Sequence, residues 1–206
     1  MLRTLFYAAV LIVAILSPAA GQIKKDALVL YRQAQYAESI AVCLEEITAN
    51  PSSLESHVVL CWALVAAGRY QEAETWAEKG RTISRYDPRL IEIQAEARFY
   101  LGLNEQALRL FQEYISNAPN GTRISSTYAF MGEIYLRQGQ FRHADIAFST
   151  AVELEKTKAA WWVRLGYARE MAKEYRQSLE AYNRALELDS SLQDASRGKT
   201  RVLAAL

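Results

Sequence analysis

The chain has 206 residues, a formal net charge of +1 and an apolar fraction of 51%, so it can fold as one domain or as a short repeat array. Four prolines and nine glycines are few for a many-turned β-fold and favour long helices. The near-neutral charge argues against a nucleic-acid-binding protein, which would carry a basic excess or a basic stripe.

Residues 1–21 have the layout of a secretory signal peptide. Arg3 supplies a positive charge, residues 5–16 form an uninterrupted apolar run, and small residues follow at 19–21. A charged start, a short apolar core and small residues at the end are the features that a signal peptidase recognises. We therefore expect an exported, periplasmic protein that is cleaved before Gln22.

Retention of the same segment as a membrane anchor is the alternative. A membrane-spanning helix needs about 20 predominantly apolar residues, and this apolar run is shorter and is followed by Pro18. Lys24 and Lys25, immediately downstream, favour retention. In that case residues 5–20 would hold the protein in the inner membrane, and contact with a membrane is expected only then.

The rest of the chain repeats with a period of about 34 residues, in the range typical of helical repeat arrays. Tyr36 and Tyr70 are one period apart, as are Phe141 and Tyr175, and Asn104 lies one period after Tyr70. Each of these residues is predicted to open the second helix of a helix pair. The step from Asn104 to Phe141 is slightly longer because the connecting turn carries a three-residue insertion at 120–122.

Side-chain size keeps step with this period. Nine positions before the opening residue each unit has a small residue, namely Ala27, Cys61, Ala95, Gly132 and Gly166. Seven positions after it most units have a bulky one, in the series Cys43, Ala77, Phe111, Phe148 and Tyr182. Paired helices approach closely only where side chains are small, and large side chains fill the neighbouring holes. The pattern therefore predicts stacked helix pairs.

These positions resemble the tetratricopeptide repeat, whose W-x₂-L-G-x₂-Y…A-x₃-F…P pattern recurs with the same period. The fifth unit matches best, with Trp162 and Leu165 followed by Tyr175 and Tyr182. The resemblance covers residues 24–190. It implies an all-α, right-handed superhelical solenoid of antiparallel helix pairs that works as a non-catalytic protein-interaction scaffold.

The predicted array contains about five units and a terminal cap. The units lie near 24–53, 54–87, 88–124, 125–158 and 159–192. Residues 193–206 begin a further helix without a partner, with Ala195 and Val202 on its apolar face. Because a solenoid needs a terminal element with a polar outer side, this segment is predicted to be a capping helix.

No residues of the chain have the spacing of a catalytic or metal site. His57 and His143 each lie inside a repeat, and no H-E-x-x-H, Gly-rich phosphate loop or G-x-S-x-G is present. The two histidines and two cysteines also lack zinc-ligand spacing. We therefore predict no enzymatic activity, no cofactor and no metal.

Cys43 and Cys61 fall in inward-facing positions on consecutive helices, symmetric about the turn at residues 50–53. In an oxidising compartment they could form a disulfide between the first two units. Helix axes about 8–10 Å apart place the pair at the limit for a bridge. The alternative is a pair of buried thiols that act as small hydrophobic residues.

The resemblance implies that the first helix of each unit lines a concave surface that holds a protein or peptide partner. The predicted groove consists of Trp62, Val65, Glu96, Phe99, Tyr100, Glu133, Arg137, Tyr167 and Met171. Aromatic side chains are favoured as binding anchors. The alternative is that several of these residues only pack against neighbouring helices.

Many cytosolic tetratricopeptide cochaperones grip the C-terminal carboxylate of a chaperone with Lys, Asn and Arg on these faces. This chain has Val58 and Trp62 in the corresponding positions of the second unit and Glu92 and Glu96 in those of the third. The resemblance therefore implies no chaperone carboxylate clamp. We expect a periplasmic or cell-envelope scaffold, and the alternative is a membrane-anchored subunit of an envelope assembly, pilus or secretion machine.

Overall fold

The computed structural model describes residues 26–206, and within them every regular element is a helix. The predicted signal segment, residues 1–21, lies outside the described residues. The helices are α1 (Ala27–Arg32), α2 (Tyr36–Ala49), α3 (Leu54–Ala66), α4 (Tyr70–Ile83), α5 (Pro88–Tyr100), α6 (Asn104–Asn117), α7 (Ile124–Arg137), α8 (Phe141–Leu154), α9 (Ala159–Met171), α10 (Tyr175–Leu188) and α11 (Gln193–Leu203).

Consecutive helices form five hairpins that stack on one another along the described chain. Each odd-numbered helix contacts the next odd-numbered helix, from α1 through to α11. In contrast, the backbones of α2, α4, α6, α8 and α10 do not approach one another in the part of the chain that the structure describes, although Arg81 on α4 and Glu113 on α6 form an ion pair (2.5 Å). The array is therefore narrower along its odd-numbered helices, which form the concave side. The predicted all-α solenoid is confirmed.

The even-numbered helices α2 to α10 begin at the residues that the period places in the opening position. Their starts are Tyr36, Tyr70, Asn104, Phe141 and Tyr175. Every hairpin lies within its predicted unit, except that α7 begins at Ile124, one position before the predicted start of the fourth unit. The last helix, α11, lies within the range predicted for the cap.

Each hairpin turns through three residues, and the middle residue has a left-handed backbone. These residues are Ala34 (φ 59°), Gly68 (74°), Gly102 (76°), Gly139 (70°) and Lys173 (62°). The next amide donates a hydrogen bond to the carbonyl five residues earlier, as from Arg69 to Leu64 (2.8 Å) and from Glu174 to Arg169 (2.9 Å). This is a Schellman cap, which glycine adopts without steric cost. Ala34 and Lys173 adopt it with a Cβ atom.

The two helices of a hairpin interlock where a glycine of one faces an aromatic ring of the other. A Cβ atom on Gly132 would lie 2.7 Å from Phe148, and one on Gly166 would lie 2.7 Å from Tyr182. On its other side Tyr182 packs against Gly198 of α11, where a Cβ atom would overlap the ring. Tyr182 is therefore enclosed between α9 and α11, and α11 covers the end of the fifth unit.

The connection between α6 and α7, residues 118–123, carries the three-residue insertion. Tyr114 occupies a position where a small residue is usual, and it is buried. A Cβ atom on Gly121 would overlap its hydroxyl, and that hydroxyl accepts a hydrogen bond from the Arg123 amide (3.3 Å). The longer connection and the larger side chain thus fit each other, and together they place Arg123 at the start of α7.

Cys43 and Cys61 are both buried and free. The Cys61 thiol donates a hydrogen bond to the carbonyl of Ala73 (Sγ–O 3.7 Å). The disulfide considered from the sequence is therefore not formed in this structure, which has the alternative of two thiols packed as small hydrophobic residues. Burial raises the pKa of Cys43 to about 12 and raises that of Cys61 as well.

A thiol with a strongly raised pKa holds little reactive thiolate at neutral pH. We expect both cysteines of the folded protein to react with Ellman's reagent far more slowly than free cysteine, and both to react at once in denaturant. Intact mass with and without reductant is the control. A gain in mass on reduction would show that the disulfide forms and would contradict the free-thiol structure.

Replacing Lys173 by glycine removes the steric cost of a side chain in a left-handed conformation. Because glycine also makes the unfolded chain more flexible, we expect a net gain of about 1 kcal/mol in the free energy of unfolding. Gly139→Ala, in the corresponding turn of the fourth unit, is the reciprocal control and should destabilise by about 1 kcal/mol. Urea unfolding measures both, and a lower midpoint for Lys173→Gly would contradict the expectation.

Candidate functional site

A cavity of about 530 Å³ opens between α1, α3, α5 and the α6–α7 connection, on the concave side. The rings of Tyr31, Trp62 and Tyr114 line it together with the side chains of Glu92 and Glu96. Its volume lies in the range of pockets that hold small ligands or anchoring side chains. It combines apolar walls with a few convergent charged groups, which is the usual composition of a binding site.

Two carboxylates in this cavity share one guanidinium group. Arg123 donates from Nε to Glu92 Oε1 (3.0 Å) and from Nη2 to Glu96 Oε2 (2.6 Å). Glu92 is only 3% exposed. Burial raises the pKa of Glu92, and it raises that of Glu96 to about 7, with the Glu92 charge as the second cause. The positive charge of Arg123 lowers both pKa values, but by less than the other effects raise them. Glu96 therefore titrates near neutral pH.

Ion pairs of this kind join consecutive odd-numbered helices from α3 to α11. In each pair a glutamate of one odd-numbered helix contacts an arginine of the next one or, in the case of Arg123, the residue that immediately precedes it. The pairs are Glu55–Arg89 (2.8 Å), Glu92–Arg123 (2.9 Å), Glu96–Arg123 (2.6 Å), Glu133–Arg164 (2.5 Å) and Glu170–Arg201 (2.6 Å). We call this series the arginine ladder. The arginine fork is well suited to hold a carboxylate in a fixed geometry.

Aromatic rings continue the surface beyond the cavity. Tyr100 stacks on Tyr70 with ring centroids 4.5 Å apart, and it remains 44% exposed. Phe99 packs edge-to-face on Phe130 at 4.9 Å. The guanidinium of Arg137 lies 4.0 Å from the Phe99 ring centroid, a distance typical of a cation–π contact. The concave side therefore presents a connected apolar strip flanked by charges.

A second hollow of about 300 Å³ lies between α5, α7 and α9. Glu96, Phe99 and Glu133 line it, and Phe130 and Trp161 also contribute. Glu96 lines both this hollow and the larger cavity. The two depressions are therefore neighbours along one groove.

The structure brings five of the predicted groove residues to these depressions. Trp62 and Val65 line the larger cavity, Glu96 lines both, and Glu133 lines the smaller hollow. Phe99 also reaches the smaller hollow, but it is buried against Phe130. Its main role is therefore packing beneath the surface, which is the alternative kept open from the sequence.

The remaining predicted residues lie outside the two depressions. Tyr100 and Met171 are exposed, and Tyr167 lies near the Arg164 guanidinium at 5.6 Å. Arg137 donates to the carbonyl of Phe99 (3.3 Å) as well as contacting its ring. Arg137 thus joins α7 to α5, in addition to facing the groove.

Sequence reasoning missed Tyr31, Arg123, Phe130 and Trp161 as lining residues. Tyr31 belongs to the first unit, whose first helix is short, and Arg123 belongs to the irregular connection. The arginine ladder is visible in the sequence as a regular spacing. Glu92, Glu133 and Glu170 are each followed by the arginine that they contact at the same sequence separation of 31. That spacing could have shown which acids of the groove are paired.

Within residues 26–206, no three His, Cys, Asp or Glu side chains come together as a metal site requires. The same range contains no helix with the length and apolarity to cross a bilayer.

Solved structures with a similar fold include several short helical-repeat proteins. PilF of Pseudomonas aeruginosa has a TM-score of 0.76 at 13% identity, covering 87% of this chain and 80% of that protein. MamA of Desulfovibrio magneticus RS-1, residues 41 to the end, has a TM-score of 0.71 at 18% identity, covering 81% and 93%. YrrB, described as a TPR protein with an unusual peptide-binding site, has a TM-score of 0.69 at 16% identity, covering 84% and 88%. At these identities the likeness establishes the fold.

Sequence models of the tetratricopeptide repeat match the chain over two adjoining ranges. One model covers residues 25–134 and a second covers residues 131–192. The first alone spans more than half of the chain, and together they extend over the five hairpins described above. This protein belongs to the tetratricopeptide repeat family.

Proposed function

We propose that this protein is a non-catalytic scaffold of the periplasm or cell envelope that holds a segment of a protein partner on its concave surface. Tetratricopeptide repeats generally serve protein interaction. The observation that carries the proposal is the groove that runs from the cavity at Trp62 to the exposed rings around Tyr100. Apolar and aromatic surface that stays open in a folded chain is typical of an interaction site.

The groove has the dimensions and chemistry for an extended or helical segment. Its two depressions follow one another along the odd-numbered helices, so successive side chains of a partner can enter them. The ion pairs of the arginine ladder hold the backbone of these helices in place, which reduces the ordering cost of binding. The peptide-binding site attributed to YrrB, a protein of similar fold, supports the same use here.

The histidines favour a scaffold over an enzyme. His57 is buried, its Nδ1 lies 2.8 Å from the carbonyl oxygen of Ser53, and its ring packs on Trp76 at 5.8 Å. His143 lies against the ring of Tyr135 at 5.3 Å. Neither imidazole lines either depression of the groove, where it could exchange a proton with a bound substrate.

The N-terminal sequence supports the proposed compartment. The short apolar core and the small residues at 19–21 support export and cleavage. The alternative, a membrane-anchored subunit of an envelope assembly, pilus or secretion machine, would place the same groove at the membrane surface. Either form leaves the groove residues and their geometry unchanged.

Removing the half-buried ring of Trp62 and the exposed ring of Tyr100 tests the groove. We expect Trp62→Ala combined with Tyr100→Ala to reduce capture of envelope proteins from the native host at least about tenfold, because anchoring aromatics contribute about 2 kcal/mol or more each. Ile146→Ala is the matched control, since Ile146 is 66% exposed on α8, away from the groove. Circular dichroism confirms folding, and quantitative mass spectrometry measures the captured proteins. An unchanged set of captured proteins with the folded double variant would remove the groove as the site.

The intact mass of the chain isolated from its host tests the compartment. We expect a mature protein that begins at Gln22 and is released with the periplasmic fraction. A full-length mass in the membrane fraction would instead establish the anchored alternative, because the signal would then have been retained. The same measurement on cytoplasmically expressed chain provides the uncleaved reference mass.

A further inference from the structure

We propose that the cavity between α1, α3, α5 and the α6–α7 connection binds a lysine or arginine side chain of the partner segment. This inference rests on the proposed function, and it assigns the chemistry that the groove selects. The cavity would thus set specificity, while the exposed rings farther along the groove supply apolar contact. The proposal stands on the charges of the arginine ladder, on the free acceptors of the cavity and on its aromatic walls.

The arginine ladder is balanced in its last two ion pairs and unbalanced at the cavity. Arg164 contacts Glu133 through two hydrogen bonds, and Arg201 contacts Glu170 in the same way. At the cavity, in contrast, Arg123 is shared between two carboxylates. When both are ionised, one negative charge remains without a partner.

The open side of these carboxylates faces the cavity. Arg123 contacts Glu92 through Oε1 and Glu96 through Oε2. Among residues 26–206, Glu92 Oε2 and Glu96 Oε1 accept no hydrogen bond, although Glu92 is 3% exposed and both side chains line the cavity. Both oxygens reach solvent, because among the described residues Thr127 Oγ1 is the one buried side-chain oxygen or nitrogen without a partner. They can therefore accept hydrogen bonds from an incoming ammonium or guanidinium group, which would also supply the missing positive charge.

The walls suit the rest of a basic side chain. The rings of Tyr31 and Trp62 lie in the cavity with centroids 5.9 Å apart, and aromatic faces attract cations within about 6 Å. Val65 and Ile93 line the same space and can cover the aliphatic stem of a lysine or arginine, which gains from apolar contact.

The second arginine of the cavity does not reverse this preference. Arg89 is already bound by Glu55 through both terminal nitrogens (2.8 Å each) and by Asp87 at 2.8 Å and 3.1 Å. It is therefore also shared between two acids and has no charge left for an anion. A partner carboxylate would meet a surplus of negative charge, so the cavity favours a cation.

A random linear peptide library displayed on phage is the first probe. We expect the full mature chain to select peptides with an enriched lysine or arginine beside apolar residues. Glu96→Gln should lose that enrichment, because it removes the surplus charge and leaves Arg123 paired one-to-one with Glu92. Glu72→Gln is the matched control, since it removes the same charge from a one-to-one ion pair with Arg69 (2.6 Å) outside both depressions, and it should keep the enrichment.

A selected peptide then allows a direct comparison by calorimetry. Replacing its arginine by citrulline, a neutral group of the same shape, should weaken binding to the wild-type protein by about tenfold or more, as expected for loss of a charge-assisted contact. The same replacement should change binding to Glu96→Gln much less. If selection yields lysine, norleucine takes the place of citrulline.

The affinity should also depend on pH. Because the pKa of Glu96 is raised to about 7, its charge forms as the pH rises through neutrality. Binding of the basic peptide should strengthen from about pH 6 to about pH 8, and Glu96→Gln should flatten this dependence. The other titratable or charged side chains around Glu96 come from the neighbouring elements other than α3 and α9. They are Tyr31 of α1, Arg89, Glu92 and Tyr100 of α5, Tyr114 of α6, Arg123 of the α6–α7 connection and Glu133 of α7.

The outcomes separate the two proposals. Peptides selected without basic enrichment, or an equal affinity for the arginine and citrulline forms, would overturn the cation site and leave the scaffold function standing. Selection of acidic peptides would likewise overturn it. No selection by the wild-type protein, together with an unchanged capture of envelope proteins by the Trp62 and Tyr100 variant, would overturn the groove itself. Circular dichroism of Glu96→Gln distinguishes lost charge from lost folding.

Discussion

The close approach of neighbouring helices at small residues is the constraint on which the rest of the structure depends. Gly132 faces Phe148 and Gly166 faces Tyr182 so closely that there is no room for a Cβ atom at either glycine. Because each large ring fills the space over a small residue, the two helices of a hairpin pack in one register. A larger side chain at these glycines would separate the two helices and disturb the stacking of that hairpin on its neighbours.

This stacking brings the odd-numbered helices into contact along one side, and the arginine ladder follows from that contact. Residues about one repeat apart in the chain come within hydrogen-bonding distance, as Glu133 and Arg164 do. The acids of the groove are therefore parts of a paired lattice and not a uniformly negative surface. One exception lies at Arg123, where the inserted connection meets α5 and one guanidinium serves two carboxylates of the groove. Binding chemistry and structural irregularity thus occur at the same place.

The repeat and its helices could be predicted from the sequence because they depend on side-chain size at a fixed period. Both the size and the period can be read directly from the residue types. The starts of α2, α4, α6, α8 and α10 show this. The site could be predicted only in part. Regular positions of the repeat identify Trp62, Val65, Glu96 and Glu133, whereas Tyr31 and Arg123 lie in the short first helix and in the irregular connection, where the repeat pattern gives no guidance. Burial decided the rest: Phe99 shares its position in the repeat with groove residues, yet it packs against Phe130. Spacing alone also left the cysteine pair undecided, because a disulfide depends on ångström-scale geometry.

A scaffold of this kind differs from an enzyme in the feature that its structure must preserve. It must keep a groove of fixed shape and charge, and the ladder and the interlocked rings do this with contacts between neighbouring units.

Site-specific photo-crosslinking in the native host tests the role of that groove most directly, with benzoylphenylalanine placed at Tyr100 in the groove or at Ile146 on α8. A partner that is cross-linked from Tyr100 and not from Ile146 is the predicted result. The same adducts from both positions, or adducts from Ile146 alone, would contradict a concave binding surface.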